Sequence, residues 1–284
     1  MNNKNERNNS IMFGICTYNR KDIMCMSANS LSRIKDLGEI DVRVYDDASE
    51  EYGIDFLREY YPYAKSIVIA EANKGADINS LRMLHDFLNA HYDWLFIADS
   101  DLLFAEGIVA TIESCIAEYK QEGYKGVISL FNTFTHPCIG KVNELLCRKE
   151  EVGAAGVLVK RDIVELIIKN VKSDIPYDVQ FSRELREKGY DILCTNKSFV
   201  QHIGIEGYNS LYYTFDWGKE FVLDSLQNAK ALNAVFDMLM EKIANDQNKS
   251  IQSRLYEDIE KKRIGLKILA KCFFQVSKKR IAHN

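Results

Sequence analysis

Residues 93–101 read Asp-Trp-Leu-Phe-Ile-Ala-Asp-Ser-Asp, in which the apolar run Trp94–Ala98 is followed directly by Asp99 and Asp101. Such a run, bounded by polar residues, is typical of a strand that other elements cover on both faces. We therefore predict a central β-strand over Asp93–Ala98, with Asp99 and Asp101 at its carboxyl end. Apolar residues at helical spacing precede this strand, and a second helical segment follows it.

The chain before this strand shows the same alternation of strand-like and helix-like segments. The predicted strands are Ile11–Cys16, Asp41–Tyr45 and Ser66–Ala70. The predicted helices are Asp22–Leu37, Ile54–Tyr60, a segment that follows Asn73-Lys-Gly75 and extends to about Ala90, and about Glu106 to Glu122. Because parallel strands need right-handed crossovers, the alternation predicts an α/β fold with a doubly wound, mainly parallel sheet flanked by helices.

The second half of the chain is less regular. We predict strands at Val127–Phe131 and Asp191–His202, helices at Arg161–Val171 and Val179–Lys188, and irregular structure over Asn132–Arg148. After a loop at Gly204–Asn209 the sequence is mostly helical. We therefore expect a main domain over 1–210, with halves of about 11–125 and 126–210, and a helical C-terminal region over 211–284.

Length and composition indicate a globular protein. The chain has 284 residues, of which 46% are hydrophobic and 27% charged, and no apolar run approaches the ~20 residues that span a bilayer. The polar first ten residues do not resemble a signal peptide. Since the seven cysteines include no short CxxC spacing, we expect reduced thiols and a cytoplasmic protein.

Charge is distributed unevenly along the chain. Lys261–Asn284 contains eight of the 37 basic residues and none of the 41 acidic ones, which leaves 29 basic against 41 acidic residues elsewhere. An acidic body argues against a nucleic-acid-binding protein, whose basic surface is usually broader. In the tail, lysines flank apolar residues at helical spacing. This pattern favours either a helix on an anionic membrane surface or a helix packed on the domain or on the partner of a homodimer.

Polar clusters mark one edge of the predicted sheet. They follow the first four strands, at Thr17–Arg20, Asp46–Asp47, Asn73–Gly75 and Asp99–Asp101. Because ligands of such sheets bind beyond the carboxyl ends of the strands, the four clusters predict one common binding site.

Two carboxylates separated by one residue at a strand end can share a divalent cation. Carboxylate oxygens suit Mg²⁺ or Mn²⁺, and such an ion neutralises a diphosphate leaving group. The alternative is that Asp101 only caps the helix that follows. Asp46–Ser49 likewise fits either a turn with a helix cap or a carboxylate that accepts hydrogen bonds from a base or a ribose.

The order and spacing of these clusters resemble family 2 glycosyltransferases. The matching motifs are Cys16-Thr-Tyr-Asn-Arg20, Asp46-Asp-Ala-Ser49, Asn73-Lys-Gly75 and Asp99-Ser-Asp101. The resemblance extends from about Ile11 to Gly204. It implies the GT-A fold, a nucleotide-sugar donor and, as in most of the family, inversion at the anomeric carbon.

The resemblance also implies roles for individual residues. Thr17, Tyr18 and Asp47 would contact the nucleoside, usually uridine. Asp99 would approach the ribose, and Asp101 the metal and the diphosphate. The implied donor-binding set is completed by Asn19, Arg20, Lys74, Gly75 and Ser100. Two departures stand out: Ala48 replaces the family's glycine, and the Ala-Arg-Asn run that often follows Asn-x-Gly is missing, which weakens a role for Lys74.

The second half adds candidate acceptor-side and catalytic residues. Gly153-Ala-Ala-Gly156 is similar to the family's glycine-rich acceptor segment, although close packing of two elements also needs small residues. Asp178 lies where the family places its catalytic carboxylate, with Tyr177 in place of the usual Glu; the alternative is a helix cap. His202 begins a motif similar to the family's His-x-Gly and is a candidate ligand of the metal or the diphosphate, or else a structural histidine.

Together these features predict a metal-dependent hexosyltransferase. It would transfer a sugar from a nucleotide-diphospho-sugar, expected to be a UDP-sugar, to a hydroxyl of a saccharide or lipid-linked saccharide in bacterial surface polysaccharide or glycolipid synthesis, at the inner membrane face. One alternative is a sugar nucleotidyltransferase, although Cys16–Arg20 lacks the glycine-rich loop expected there. The other is a non-catalytic carbohydrate-binding or scaffold protein, against which Asp99, Asp101 and Asp178 argue.

Overall fold

The computed structural model describes residues 10–170, 177–205 and 215–245. The chain divides into two compact units, one of Met1–His202 with Trp217–Val222 and one of Ile203–Asp216 with Leu223–Asn284. The predicted domain boundary near residue 210 stays a prediction. The basic tail Lys261–Asn284 lies outside the described residues.

Four parallel strands form the first half of the central sheet. They are β1 (Ile11–Thr17), β2 (Asp41–Asp46), β3 (Ser66–Ile69) and β4 (Trp94–Asp99), in the spatial order β3-β2-β1-β4. The helices are α1 (Lys21–Leu31), α2 (Ile54–Tyr60), α3 (Ala76–Asn89) and α4 (Ile108–Glu122), with a short 3₁₀ turn at Leu37–Glu39. This strand and helix alternation is the one that the sequence predicts.

A mixed second half extends the sheet. Its strands are β6 (Gly126–Ser129), β7 (Cys138–Lys141), β8 (Leu146–Lys149), β9 (Val157–Lys160) and β10 (Asp191–Thr195), and its helices are α5 (Arg161–Asn170) and α6 (Tyr177–Glu187). The order continues as β4-β9-β6-β10-β8-β7, with β9 antiparallel to both of its neighbours. A separate two-stranded ribbon pairs β5 (Leu102–Phe104) with β11 (Val200–His202).

The sheet separates two apolar layers. Trp94 and Phe96 of β4 lie in one layer with α1 and α4, whereas Leu95 and Ile97 lie in the other with α3, α5 and α6. All four side chains are at most 2% exposed, so β4 is covered on both faces as predicted. The second unit contains α7 (Leu226–Asn245). Among the described helices, none is long and apolar enough to cross a membrane.

Three segments differ most from the prediction. Helix α1 ends at Leu31 rather than Leu37, because the N–H groups of Arg33 and Ile34 bond only three residues back, to Ser30 O and Leu31 O. Lys35 then donates its N–H outside the helix, to Glu106 O. The predicted strand Asp191–His202 is divided into β10 and β11, since Ser198 turns away to donate its N–H to Lys219 O. The segment predicted as irregular, Asn132–Arg148, contains β7 and most of β8.

The expectation of reduced cysteines is wrong for one pair. Cys138 of β7 and Cys147 of β8 form a disulfide, because the hairpin brings their Cα atoms to 6.1 Å. Cys16, Cys25, Cys115 and Cys194 are free thiols.

Candidate active site

The carboxyl ends of β1, β2 and β4 meet at one edge of the sheet. Thr17 is in register with Asp46, and Cys16 with Asp99. The chains that leave these strands remain paired, because Asp47 donates its N–H to Thr17 O at 3.0 Å and Ser100 donates to Cys16 O at 2.9 Å. The structure thus brings together the polar clusters that follow three of the predicted strands.

Asp101 is the centre of this edge. Its Oδ2 accepts a hydrogen bond from Arg20 Nη1 at 2.7 Å and lies 3.1 Å from His202 Nε2. His202 reaches it because β11 pairs with β5, which sets His202 opposite Leu102. Asp101 Oδ1 is buried and has no hydrogen-bond partner among the described residues; we call it the open oxygen.

The charges at this edge determine which groups are ionised. Burial alone would raise the pKa of Asp101, but the charges and hydrogen bonds of His202 and Arg20 outweigh it and lower that pKa. Burial and the neighbouring Asp101 carboxylate raise the pKa of Asp99. Burial opposes protonation of His202, yet Asp101 keeps the pKa of His202 above its usual value. The edge therefore has an ionised Asp101 flanked by two basic groups.

The loop after β2 is held by its own carboxylates. Asp46 accepts hydrogen bonds from the N–H and the hydroxyl of Ser49, at 2.9 and 2.5 Å, which closes a turn. Asp47 is buried and accepts the N–H groups of Lys74 and Gly75, at 3.1 and 2.8 Å. Ala48, which replaces the family's glycine, adopts a left-handed φ of 59°. Asp47 thus joins two of the predicted donor-binding segments, while the Lys74 side chain stays exposed.

Thr17–Arg20 forms a rigid turn in front of α1. Thr17 is buried with its hydroxyl 2.6 Å from that of Tyr52, and Asn19 Oδ1 accepts the N–H of Glu50 at 2.8 Å. Asn19 and Arg20 both adopt left-handed conformations, with φ 47° and 55°. Tyr18 presents a partly exposed aromatic ring, 38% accessible, at the same edge.

Two residues that sequence reasoning missed stabilise this turn. Glu51 accepts the N–H groups of Arg20 and Lys21, at 3.0 and 2.8 Å, and so caps the first turn of α1. Tyr52 donates its hydroxyl to Asn19 O at 3.0 Å. Both lie within three residues of the Asp46–Ser49 motif, but their partners are about 30 residues earlier in the sequence, so no local pattern indicates these contacts.

Asp178 lies in the first turn of α6, half-buried, with its Oδ1 2.8 Å from the N–H of Val179. Its carboxylate is close enough to contribute to the raised pKa values of Asp99 and Asp77. Burial is the larger cause of the raised pKa of Asp77, which a hydrogen bond from the Tyr177 N–H opposes. The first turn of α6 therefore places the Asp178 carboxylate near both Asp99 and Asp77.

Tyr177, which occupies the position of the family's Glu, belongs to the apolar core. It is 4% exposed, and its ring centroid lies 6.0 Å from that of Phe181.

Gly156 serves close packing. Its φ is +69°, and a Cβ at this position would lie 2.7 Å from Val200 Cγ2. By contrast, a Cβ on Gly153 would meet no atom within 4 Å in the described part of the chain. The packing explanation therefore holds for Gly156, and an acceptor role for the preceding residues stays a prediction.

The residues at the edge fit a divalent ion only in part. Within residues 10–170, 177–205 and 215–245, no three His, Cys, Asp or Glu side chains are arranged to hold a metal. The open oxygen is nevertheless a buried anionic atom of the hard type that Mg²⁺ and Mn²⁺ prefer. An ion there would take its remaining ligands from a bound molecule, as Mg²⁺ usually does at phosphate sites.

No protein-family model and no curated protein sequence matches the chain. Solved structures do match. The mannosyltransferase PcManGT from Pyrobaculum calidifontis in complex with GDP-Man and Mn²⁺ is 14% identical, with a TM-score of 0.50 over 88% of this chain and 68% of that one. TarS 1–349 from S. aureus in complex with UDP-GlcNAc is 14% identical, with a TM-score of 0.50 over 88% and 71%.

A structure of S. aureus TarS is 13% identical, with a TM-score of 0.46, and this chain covers 42% of that chain, less than half of its length. At such low identity the comparisons concern the fold. The predicted fold class, a GT-A-type α/β fold, is confirmed. Membership of family 2 stays a prediction.

Proposed function

We propose that this protein is a glycosyltransferase that uses a nucleotide-diphospho-sugar. The main support is the buried Asp101 at the carboxyl edge, which has two basic partners on one oxygen while its other oxygen is open. Two structures of the same fold contain nucleotide sugars, GDP-Man in one and UDP-GlcNAc in the other. Ligands of open α/β sheets bind at this edge.

The donor would bind along the turns after β1, β2 and β4. Tyr18 offers an exposed aromatic surface to a base, and Asp47 fixes the Lys74–Gly75 backbone. Arg20 and His202 supply positive charge for the diphosphate. The proposed donor-binding set is Thr17, Tyr18, Asn19, Arg20, Asp47, Lys74, Gly75, Asp99 and Ser100, with UDP as the expected nucleotide.

Mg²⁺ or Mn²⁺ is the proposed cofactor. Asp101 would hold it through the open oxygen, with Asp99 and His202 adjacent. When bound, the ion neutralises negative charge on the diphosphate leaving group.

Asp178 is the proposed general base. As the acceptor oxygen attacks the anomeric carbon, its proton passes to the Asp178 carboxylate. The bond between the anomeric carbon and the diphosphate oxygen breaks on the opposite face, and its electron pair stays with the nucleoside diphosphate. Arg20 and His202 face the charge that develops there. A single displacement of this kind inverts the anomeric configuration.

The proposed acceptor is a saccharide or lipid-linked saccharide of bacterial surface polysaccharide or glycolipid synthesis. The proposed location is the cytoplasmic face of the inner membrane, with the basic tail on anionic lipid or in a homodimer.

A donor-hydrolysis assay tests the proposal. The protein is incubated with a panel of UDP- and GDP-sugars, with Mn²⁺, with Mg²⁺ or with EDTA, and released nucleoside diphosphate is measured. We expect slow, ion-dependent release of UDP or GDP from at least one donor. A nucleotidyltransferase would instead form pyrophosphate from a nucleoside triphosphate and a sugar phosphate, and a non-catalytic protein would bind donors without turnover.

A further inference from the structure

One oxygen of the proposed metal ligand is already shared by two basic side chains. Arg20 Nη1 lies 2.7 Å from Asp101 Oδ2, and His202 Nε2 lies 3.1 Å from the same atom. The Asp101 side chain is 5% exposed and that of Arg20 is 29% exposed, so solvent screens the pair only weakly. The guanidinium is therefore paired with the same carboxylate that carries the open oxygen.

The backbone of Arg20 is fixed while its side chain is long. The N–H groups of Arg20 and Lys21 are bound to Glu51, and the left-handed φ of 55° sets the direction in which the side chain leaves the turn. A guanidinium on four rotatable bonds can change partners without a change in this backbone. The backbone of Arg20 is thus fixed, whereas its charged side chain can change its partner.

A divalent ion on the open oxygen would lie a few ångströms from the guanidinium on the other oxygen of the same carboxylate. Like charges at such separation repel strongly in a weakly screened site. A nucleoside diphosphate would offer Arg20 a second anionic partner of the bidentate kind that guanidinium groups bind best.

We infer that the Arg20 guanidinium competes with the divalent ion for the Asp101 carboxylate. The guanidinium pairs with Asp101 while no nucleotide is bound, and it moves to the diphosphate when the ion and the nucleotide bind together. The ion and the nucleotide then bind cooperatively, each raising the affinity for the other by the same factor. This inference rests on the proposed use of a nucleotide-diphospho-sugar.

We expect Arg20→Gln to change the affinities for Mn²⁺ and for the nucleotide in opposite directions. Without nucleotide, Mn²⁺ should bind about tenfold more tightly, because the competing charge is gone. At saturating Mn²⁺, the nucleoside diphosphate should bind about tenfold more weakly, because a charge-assisted contact is lost. A purely structural Arg20 would weaken both.

The experiment measures Mn²⁺ binding to the full chain by electron paramagnetic resonance without nucleotide, and UDP and GDP binding by calorimetry at saturating Mn²⁺. Lys21→Gln is the matched control, since it removes one positive charge from the neighbouring residue. The Lys21 ammonium lies 4.3 Å over the Phe56 ring. Arg20→Lys keeps a competing charge but loses the bidentate fork, so we expect a smaller change for Mn²⁺ and a clear loss for the nucleotide.

Opposite shifts in Arg20→Gln, with wild-type values in Lys21→Gln, support the inference. If the wild-type protein binds a nucleoside diphosphate, an unchanged Mn²⁺ affinity in Arg20→Gln, or weaker binding of both ligands, overturns the inference and leaves the proposed function standing. Wild-type protein that binds neither UDP nor GDP would overturn the proposed function itself. Should Arg20→Gln fail to fold, as judged by circular dichroism, Arg20→Lys decides: wild-type nucleotide affinity in that variant rejects the inference.

Discussion

Asp101 is the residue on which the proposed chemistry depends most directly. Asp101→Asn keeps the side-chain shape but replaces the carboxylate by a neutral amide, which binds a divalent cation more weakly because it has no negative charge. We expect the rate of sugar transfer at saturating donor and Mn²⁺ to fall about 100-fold or more. Initial rates of nucleoside diphosphate release measure this.

Asp41 provides a matched control for this substitution. It is also buried, its Oδ2 pairs with Lys65 Nζ at 2.7 Å, and its Oδ1 has no partner within the described residues. It lies at the other end of β2, away from the carboxyl edge. Asp41→Asn should lower the melting temperature without loss of transfer. Equal loss of transfer in both variants would mean that Asp101 acts only through stability.

Asp178→Asn separates a base from a structural carboxylate. The amide keeps the shape but accepts no proton, so transfer should fall by about 10²–10⁴ while donor affinity is retained. Donor affinity is measured by calorimetry and transfer by single-turnover kinetics. An unchanged rate would place the base elsewhere, and Asp174, the next candidate in sequence, lies outside the described residues.

Asp162→Asn is the control for Asp178→Asn. Asp162 lies in the first turn of α5, and its Oδ1 is 3.1 Å from the N–H of Ile163, as Asp178 Oδ1 is from Val179 at 2.8 Å. Both substitutions weaken a helix start in the same way, so any difference in transfer reflects the position of Asp178 near Asp99. Loss of donor binding in Asp178→Asn alone would indicate a cap that shapes the site.

At the scale of elements, Gly156 sets the distance between the start of β9 and the ribbon that contains His202. Gly156→Ala adds a Cβ in a left-handed conformation, 2.7 Å from Val200 Cγ2. The backbone strain and the overpacking together should lower the free energy of unfolding by about 2 kcal/mol or more. Because Val200 is two residues from His202 in β11, we also expect weaker ion-dependent donor hydrolysis. Urea denaturation measures the first effect.

Gly153→Ala, in the same small-residue segment, adds a Cβ that has no atom of the described residues within 4 Å. It should leave the free energy of unfolding within about 0.5 kcal/mol of wild type, as is usual for surface substitutions. If Gly153→Ala impairs transfer to an acceptor but not donor hydrolysis, the acceptor role predicted for this segment gains support. Equal destabilisation by the two substitutions would contradict the packing explanation for Gly156.

The elements that could be predicted are those with a strong local pattern. The run Trp94–Ala98 is apolar throughout because both faces of β4 are buried, and the sequence alone identifies such a strand. Strand β7 has no such pattern, since all four of its residues are exposed at the sheet edge. The division between β10 and β11 depends on a hydrogen bond from Ser198 to Lys219, which only the folded chain brings together.

The site was predictable to the same extent. Parallel strands bring Thr17, Asp46 and Asp99 to one edge, so their convergence follows from the topology. The pairing of Arg20 with Asp101 joins residues 81 positions apart, and no local pattern specifies it. The capping role of Glu51 and the approach of Asp77 to Tyr177 are long-range contacts of the same kind.

At the scale of the whole molecule, the chain combines an acidic body with a basic end. All eight basic residues of Lys261–Asn284 lack an acidic neighbour within that segment, and Leu266, Leu269, Phe273 and Phe274 lie among them. Each basic residue near an anionic surface contributes about 1 kcal/mol, less at higher salt. Buried aromatic area adds a contribution that salt does not screen.

We therefore expect deletion of Lys261–Asn284 to reduce binding to anionic liposomes while donor hydrolysis is largely retained. Binding of the full chain should weaken with salt without vanishing, because the apolar contribution persists. A liposome sedimentation assay over a salt series, with neutral liposomes as the control, measures both effects.

The competing hypothesis places the tail against the domain or across a homodimer. In that case the deletion would give insoluble or dissociated protein, and anionic lipid would make no difference to either form. Replacing the four apolar residues by serine distinguishes the two hypotheses further. If the tail binds a membrane, weak binding that salt abolishes should remain. If the tail forms a protein interface, assembly should be disrupted at every salt concentration.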